Sequence, residues 1–330
     1  MPWLEKALVR LASADRWSYY DGGPAATEPT ALAALALTTH GRDAAGERAI
    51  AWLTRAQAAD GTAGVTDEQD SPCWPTALAV LAWLAWDESH QATRHRGCIQ
   101  RAIQWTLAAR GDTSPRSPLI GHDTTLTGWP WVIGTHSWLE PTAWFVLALK
   151  AAGLGEHPRT REAVRLLVDR LLPSGGCNYG NTVVMGQELL PHVQPTGLVL
   201  LALAGESIPD PRFGRSVDYL ETSLRAHLGP ASLAFAVMGL TAHRRRPANW
   251  EALFQQVPQH QSLVGVRPYT DALIALAALE QDENPLTGGQ PAPLARRKSR
   301  EILGERARAS ERLATPRVGL RSGTSRGGIP

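Results

Sequence analysis

One stretch of the sequence, Glu28-Pro29-Thr30-Ala31-Leu32, opens a run of Ala and Leu and then recurs along the chain. Clear copies start at Trp74-Pro75-Thr76, Glu140-Pro141-Thr142 and Gln194-Pro195-Thr196, and weaker ones at Pro230 and Tyr269. Proline at the first helical position loses no hydrogen bond, and its fixed φ suits a helix. Each copy therefore predicts the start of a helix.

The helices that follow these starts are apolar almost all round, so they should be buried on every side. The segments between them carry a one-sided apolar stripe, as in residues 45–58, where Ala49, Trp52 and Leu53 share a face and Arg48 and Arg55 do not. Those segments are predicted as outer helices. They cover residues 3–14, 45–58, 97–110, 160–172, 212–227 and 249–257.

Outer and inner helices that alternate in this way predict an all-α protein with about twelve helices. A closed ring, a single α6/α6 toroid, is the economical arrangement, because an open stack would expose apolar inner helices at its ends. The toroid is expected to span residues 1–285. Residues 286–330 are predicted to form a disordered basic tail.

Charge and composition exclude several functional classes. Residues 296–330 hold ten Lys or Arg against three Glu, whereas residues 1–295 carry a net charge of −5. The tail lacks interleaved aromatic residues, so we read it as solvated and expect no nucleic-acid partner. Three scattered cysteines and no apparent secretory segment favour a cytoplasmic location. The apolar runs are too short to span a bilayer.

Two glycine turns resemble those of a known superfamily. Residues 49–64 resemble the QW-type repeat, with Trp52-Leu53, Gln57 and the Asp60-Gly61 turn, and residues 174–180 resemble the protein prenyltransferase version. The chain thus resembles the prenyltransferase and squalene-cyclase repeat proteins, the terpenoid cyclase and protein prenyltransferase toroids. This resemblance implies a central cavity for an apolar, isoprenoid-like molecule and peripheral contact with a membrane. Because cyclases pair two such toroids, it also implies a homodimer or a partner toroid.

The chemistry of that superfamily does not carry over to particular residues. The chain has no Asp-x-Asp-Asp-Thr-Ala motif, with which squalene-hopene cyclases protonate a double bond. The fourth inner-helix start lacks the zinc-binding pair of the prenyltransferases, and the spacing of Asp169, Cys177 and His192 matches no zinc pattern. We therefore predict no metal and no cofactor, and the resemblance leaves open whether the protein is an enzyme.

Carboxylates just before or after the inner-helix starts should meet at one mouth of the ring. Glu28, Glu140 and Asp271 are the candidate catalytic residues, since repulsion or burial would raise a pKa enough to make a general acid. The alternative is that Glu28 and Glu140 only cap their helices.

A Trp-rich segment, residues 122–139, leads into Glu140 and forms the longest predicted connection. Long connections that are not disordered are usually functional. It either lines a pocket, where aromatic faces stabilise a cation, or plugs one end of the ring. The predicted substrate-binding residues of the mouth and this segment are Trp74, Trp129, Trp131, Trp138, His136, Tyr179 and Gln194.

Two other functions remain open at the level of sequence. The first is a non-catalytic toroid that serves as a binding or scaffold module. The second is a carbohydrate-active α6/α6 toroid, in which paired carboxylates and Trp platforms bind or cleave sugars.

Overall fold

Twelve α-helices make up nearly all the regular structure of the described chain. The computed structural model describes residues 1–69, 71–261 and 268–287. Six helices begin at the repeated phrase and form the inner layer. They are α2 (Thr27–Thr39), α4 (Thr76–Ser89), α6 (Leu139–Ala151), α8 (Val193–Ala202), α10 (Pro230–Ala242) and α12 (Pro268–Ala277).

The other six helices have one polar face and form the outer layer. They are α1 (Pro2–Ser13), α3 (Asp43–Ala56), α5 (Arg96–Ala108), α7 (Pro158–Asp169), α9 (Pro211–Ser223) and α11 (Trp250–Gln261). All twelve lie within a few residues of the predicted segments. The described helices belong to one compact unit, Met1–Ala292.

The inner helices form a closed ring. Each packs against the next along the chain, from α2 through α4, α6, α8 and α10 to α12, and α12 packs against α2. The first outer helix, α1, completes the circuit by packing on α12, α2 and α11. The predicted all-α fold, a single α6/α6 toroid, is confirmed.

The inner helices are almost fully buried. Every residue from 31 to 37 on α2 has no exposed surface, and α4, α8, α10 and α12 are similarly buried. The rings of Trp144 on α6 and Phe235 on α10 have centroids 6.1 Å apart. Because α8 separates α6 from α10 in the ring, this contact joins two inner helices that are not ring neighbours.

The threonine of the repeated phrase fastens the preceding connection to α4, α6 and α8. Thr76 Oγ1 accepts a hydrogen bond from the backbone N–H of Ala63 at 2.8 Å, Thr142 Oγ1 from Trp129 at 3.0 Å and Thr196 Oγ1 from Cys177 at 3.0 Å. A buried backbone donor requires such a partner. The repeated Pro-Thr therefore fixes the loops at the mouth of the ring.

Two connections on the mouth side are longer than the others and lie against each other. One is residues 109–138 between α5 and α6, and the other is residues 170–192 between α7 and α8. The second contains a small antiparallel hairpin, β1 (Val183–Val184) and β2 (Gln187–Glu188), which the sequence reading missed. Gly121 N donates to Val183 O at 2.8 Å and so joins the two connections.

The C-terminal part of the predictions lies mostly outside the described residues. A short 3₁₀ turn, Pro285–Thr287, is the last described element, so the predicted basic tail and its boundary at residue 285 stay predictions. Within the described residues no helix is both long and apolar enough to cross a membrane. A cytoplasmic location, peripheral membrane contact and a homodimer or partner toroid remain predictions.

Candidate functional site

Two carboxyl groups from the repeated phrase lie at one end of the ring. Glu28 stands in the first turn of α2 and Glu140 in the first turn of α6. Glu28 is only 5% exposed and Glu140 only 8%. Tyr19, in the connection before α2, donates its hydroxyl hydrogen to Glu28 Oε2 at 2.6 Å. The start of α6 is held by the Thr142 anchor described above, and at the start of α2 the Thr30 hydroxyl donates to Trp17 O at 3.4 Å.

Gln194 and Tyr269 complete the cluster from the starts of α8 and α12. Gln194 forms side-chain hydrogen bonds with both Glu140 and Tyr269. The ring of Tyr269 lies 5.5 Å from that of Tyr19. We call Glu28, Glu140, Tyr19, Tyr269 and Gln194 the mouth cluster. Four inner-helix starts or their preceding loops contribute to it, as the repeat spacing predicts.

Burial changes the protonation of the mouth cluster. It raises the pKa of Glu28 to about 8, against the hydrogen bond from Tyr19 and with added repulsion from Glu140. It raises the pKa of Glu140 to about 7, against the hydrogen bond from Gln194. Burial and the nearby carboxylates also raise the pKa of Tyr19 and of Tyr269 above its usual range. Near neutral pH the cluster therefore holds protonated carboxyl groups, which are able to donate protons.

Two tryptophans form an aromatic pair among the residues expected at this mouth. Trp74, which precedes α4, meets Trp131 of the long connection edge to face, with ring centroids 4.8 Å apart. Trp74 is 8% exposed and Trp131 is half-buried. The pair supplies an aromatic surface beside an inner-helix start.

Asp271 is separated from the mouth cluster by its partner. Its two carboxylate oxygens accept hydrogen bonds from Arg10 of α1, at 2.8 Å and 2.6 Å. Asp271 is 1% exposed, so this bidentate pair occupies it fully. Asp271 joins the first and last helices of the ring, and we leave it out of the proposed catalytic pair.

Trp129 is packed between the two helix layers. Its indole N–H donates to Thr106 O at 2.9 Å, its ring lies 5.0 Å from that of Phe145, and it has no exposed surface. The guanidinium of Arg159 lies 4.5 Å from the centre of the same ring. Trp129 is thus part of the packing between α5 and α6, and we leave it out of the proposed binding surface.

The remaining predicted substrate-binding residues lie further along the mouth face. His136 and Trp138 line a cavity of about 160 Å³ between the two long connections. Tyr179 is 48% exposed, and its ring lies 5.3 Å from that of His192. Asp112 and Arg170 line the same cavity. Sequence reasoning singled out neither of them.

Asp169, Cys177 and His192 are not arranged as metal ligands in the described structure. Cys177 is fully buried and hydrogen-bonded to Thr196, and burial raises the pKa of its thiol to about 12. No group of three or more His, Cys, Asp or Glu side chains within the described ranges is placed to hold a metal ion. The thiol is therefore a packed, protonated group.

A larger hollow lies at the opposite end of the ring. It measures about 790 Å³ and is bordered by the C-terminal parts of α4, α6 and α8. Leu81, Leu84 and Leu147 form part of its floor, and Glu88 and Lys150 lie among its polar groups. We call it the basal bowl. It is separate from the mouth cluster, because the inner helices run from one end to the other.

Comparison with known proteins supports the toroid fold and no finer assignment. No protein-family model matches the chain, and no curated protein matches its sequence. The cellobiose 2-epimerase from Spirochaeta thermophila DSM 6192 is similar in structure, with a TM-score of 0.52 and 13% identity over 84% of this chain and 96% of that one.

A second solved structure, Salmonella alpha-2-macroglobulin reacted with methylamine, has a TM-score of 0.49 and 15% identity. The match covers 84% of this chain but only 17% of that protein. The likeness to the epimerase supports the fold alone, and neither structure supports the narrower assignment to prenyltransferases or terpenoid cyclases.

Proposed function

We propose that the protein is an enzyme that performs general acid–base chemistry on a carbohydrate at the mouth of its toroid. The observation that carries the proposal is the mouth cluster, in which two buried carboxyl groups with pKa values of about 8 and 7 interact with each other. Acid and base groups are most effective when their pKa values lie near the working pH. Paired titratable groups with raised pKa values are typical of catalytic sites.

In this proposal Glu28 is the proton donor and Glu140 the proton acceptor. Glu28 has the higher pKa, so it keeps its proton at a pH where part of the Glu140 population is ionised. Tyr19 and Gln194 orient the two carboxyl groups through the hydrogen bonds given above. Trp74 and Trp131 offer the aromatic surface on which a sugar ring would lie.

A carbohydrate fits this site better than an isoprenoid does. The mouth cluster offers hydroxyl, amide and carboxyl groups, which match a polyhydroxylated substrate. An isoprenoid instead requires an apolar cavity, and the mouth cluster is polar. The similar structure with nearly full coverage is named for cellobiose, a carbohydrate; at 13% identity that likeness supports the fold alone.

The isoprenoid proposal keeps one specific observation in its favour. The basal bowl has the volume of a small-molecule site, and leucine side chains form part of its floor. An apolar molecule would bind there rather than on the ring axis. Mass spectrometry of lipids extracted from the purified protein tests this alternative. A stoichiometric isoprenoid would replace the carbohydrate proposal.

The carbohydrate proposal is tested by screening oligosaccharides by NMR in D₂O. This readout detects both cleavage and proton exchange at a sugar carbon. We expect turnover by the wild-type protein and loss of at least about a hundredfold in Glu28→Gln and Glu140→Gln, the usual scale for a general acid or base. Glu251→Gln on the outer helix α11 is the control, because Glu251 is exposed and does not belong to the cluster.

Two outcomes would contradict the proposal. One is full turnover by both Gln variants, which would remove the carboxyl groups from the mechanism. The other is no turnover or proton exchange with any carbohydrate, which would favour the scaffold alternative.

A further inference from the structure

We propose that the cavity between the two long connections is a binding subsite for a single neutral pyranose ring. Its walls come from residues 112–126 and 136–138 of one connection and from Arg170, Gly180 and Asn181 of the other. We call it the side cavity. This inference rests on the proposed function, whose substrate class it narrows to neutral glycosides.

The size of the side cavity selects a small ligand. Its volume of about 160 Å³ equals that of about five molecules of liquid water, at about 30 Å³ each. A lipid chain or a nucleotide is too large for this space. A single sugar ring, with its hydroxyl groups directed at the walls, is on the right scale.

The walls combine hydrogen-bonding groups with an apolar surface. Arg170 is 6% exposed, and its Nη1 donates to Gly180 O at 2.6 Å. Its Nε lies 3.5 Å from Asp169 Oδ2. These two contacts fix the guanidinium of Arg170 in the wall of the cavity.

His122 adds a neutral polar group to the same walls. Burial, together with the charge of Arg170, lowers its pKa to about 4, so the imidazole is uncharged near neutral pH. A neutral imidazole carries one donor and one acceptor, which suits a sugar hydroxyl. Trp138, Ile120 and Leu126 supply the apolar part of the lining, against which the C–H face of a sugar ring packs.

The surrounding charges favour a neutral ligand over an anion. Asp112 lines the cavity, Asp169 lies beside Arg170, and Asp123 is paired with Arg116. Among the lining residues only Asp112 and Arg170 are charged, and their charges are opposite. The lining therefore has no net charge with which to bind an anion, and a neutral sugar suits it.

Trp138 links the side cavity to the mouth cluster. It lines the cavity, and it is the residue before α6, two positions from Glu140. The backbone N–H of Leu139 also donates to Tyr179 O at 3.1 Å, beside Gly180 of the cavity wall. One sugar ring in the side cavity would thus belong to the same bound glycoside that presents its reacting ring to Glu28 and Glu140.

The test measures binding of methyl α-glucoside, methyl α-mannoside and methyl β-galactoside by saturation-transfer NMR. We expect the wild-type protein to bind at least one of them in the millimolar range. Asn181→Ala and His122→Phe should each weaken this binding by about tenfold, the effect of about 1.4 kcal/mol. Gln100→Ala, in the basal bowl, is the matched control and should leave binding unchanged.

Three results would overturn the subsite. They are the absence of binding by all three glycosides, unchanged binding in both side-cavity variants, and stronger competition by sodium phosphate than by any neutral sugar. Asn181 is exposed, so its alanine variant should fold even where His122→Phe does not, and circular dichroism checks this.

The subsite and the proposed function fail in different ways. Glu140→Gln should lose turnover but keep glycoside binding in the side cavity. If both Gln variants keep turnover while the side-cavity variants lose binding, the catalytic assignment fails and the subsite stands. If turnover depends on Glu28 and Glu140 but the side-cavity variants bind sugars normally, the subsite fails alone.

Discussion

Glu28 illustrates how a single buried carboxyl group links stability to pH. Its ordinary pKa of 4.5 rises to about 8 in the folded protein, mainly by burial. Unfolding between these two pH values releases a proton, so the folded state loses stability as the pH rises through that window. Such a cost is retained in proteins where the strained group has a use, as in acid–base catalysis.

The first prediction concerns this cost. Above pH 8 the Glu28→Gln variant should unfold at a higher urea concentration than the wild-type protein, since the substitution removes a buried charge. Below pH 4.5 the difference between the two proteins should shrink. The expected gain is roughly 1.4 kcal/mol for each pKa unit by which folding shifts the carboxyl group. Urea unfolding on both sides of the window measures it, and an equal difference at both pH values would contradict the assignment.

A second prediction follows for catalysis. With Glu28 as the acid and Glu140 as the base, kcat/KM should rise as Glu140 ionises and fall as Glu28 loses its proton. The profile should thus be bell-shaped, with limbs near pH 7 and 8. The two values belong to the interacting pair. Glu140→Gln should remove the acidic limb from any residual activity, and a profile that keeps this limb would contradict the role of Glu140.

At the scale of helices, the repeated phrase predicted which side chains meet at the inner-helix starts, as well as which helices are buried. It placed Glu28, Glu140 and Gln194 at equivalent helix starts, and the structure brings these three side chains into one hydrogen-bonded and electrostatic cluster. It also placed a threonine where the connections before α4, α6 and α8 need an anchor. These features follow from the sequence because these copies share one local problem, the entry of a loop into an inner helix.

Other parts of the site depend on contacts that no local pattern reveals. Tyr19 reaches Glu28 from a connection without the repeated phrase, and Asp271 meets Arg10 across 261 positions. The strands β1 and β2 have two residues each, too few to show alternation. Trp129 stands in a Trp-rich connection, and its sequence context does not show whether it packs in the core or binds a ligand. Its hydrogen bond to Thr106 shows that it packs.

The crossing of α8 and α10 yields the third prediction. A Cβ at Gly197 would overlap the backbone carbonyl of Phe235, because the two helices approach closely there. Gly197→Ala should therefore destabilise the protein by about 1–3 kcal/mol, the usual cost of overpacking. Gly214→Ala, on the outer helix α9, is the control, since a Cβ there meets no atom within 4 Å.

The control should be neutral or slightly stabilising, because alanine has the higher helix propensity. Thermal and urea unfolding of both variants measure the contrast. Equal stability of the two variants would show that α8 and α10 do not approach as described.

At the scale of the whole molecule, the ring depends on contacts between the two ends of its helical chain. Trp3 of α1 stacks on Phe254 of α11 with centroids 5.3 Å apart and meets Trp250 edge to face at 6.1 Å. Arg10 of α1 holds Asp271 of α12. These contacts add to the direct packing of α12 on α2. The first outer helix therefore reinforces the closure of the ring.

The fourth prediction tests this closure through the Arg10–Asp271 pair. Arg10→Ala leaves a carboxylate with 1% exposure without its cation, and removing one partner of a buried ion pair costs about 3–5 kcal/mol. Arg10 is partly exposed, at 37%, so solvent screening should bring the loss toward the lower end of that range. Adding Asp271→Asn should recover part of it, because the buried charge is then gone.

The exposed pair Arg94 and Glu47, with side chains 68% and 59% exposed, provides the matched control. Arg94→Ala should cost less than about 1 kcal/mol, as surface ion pairs do. A double-mutant cycle in urea measures the coupling of each pair. If the effects of the Arg10 and Asp271 substitutions are additive, the pair does not stabilise the junction of α1 and α12.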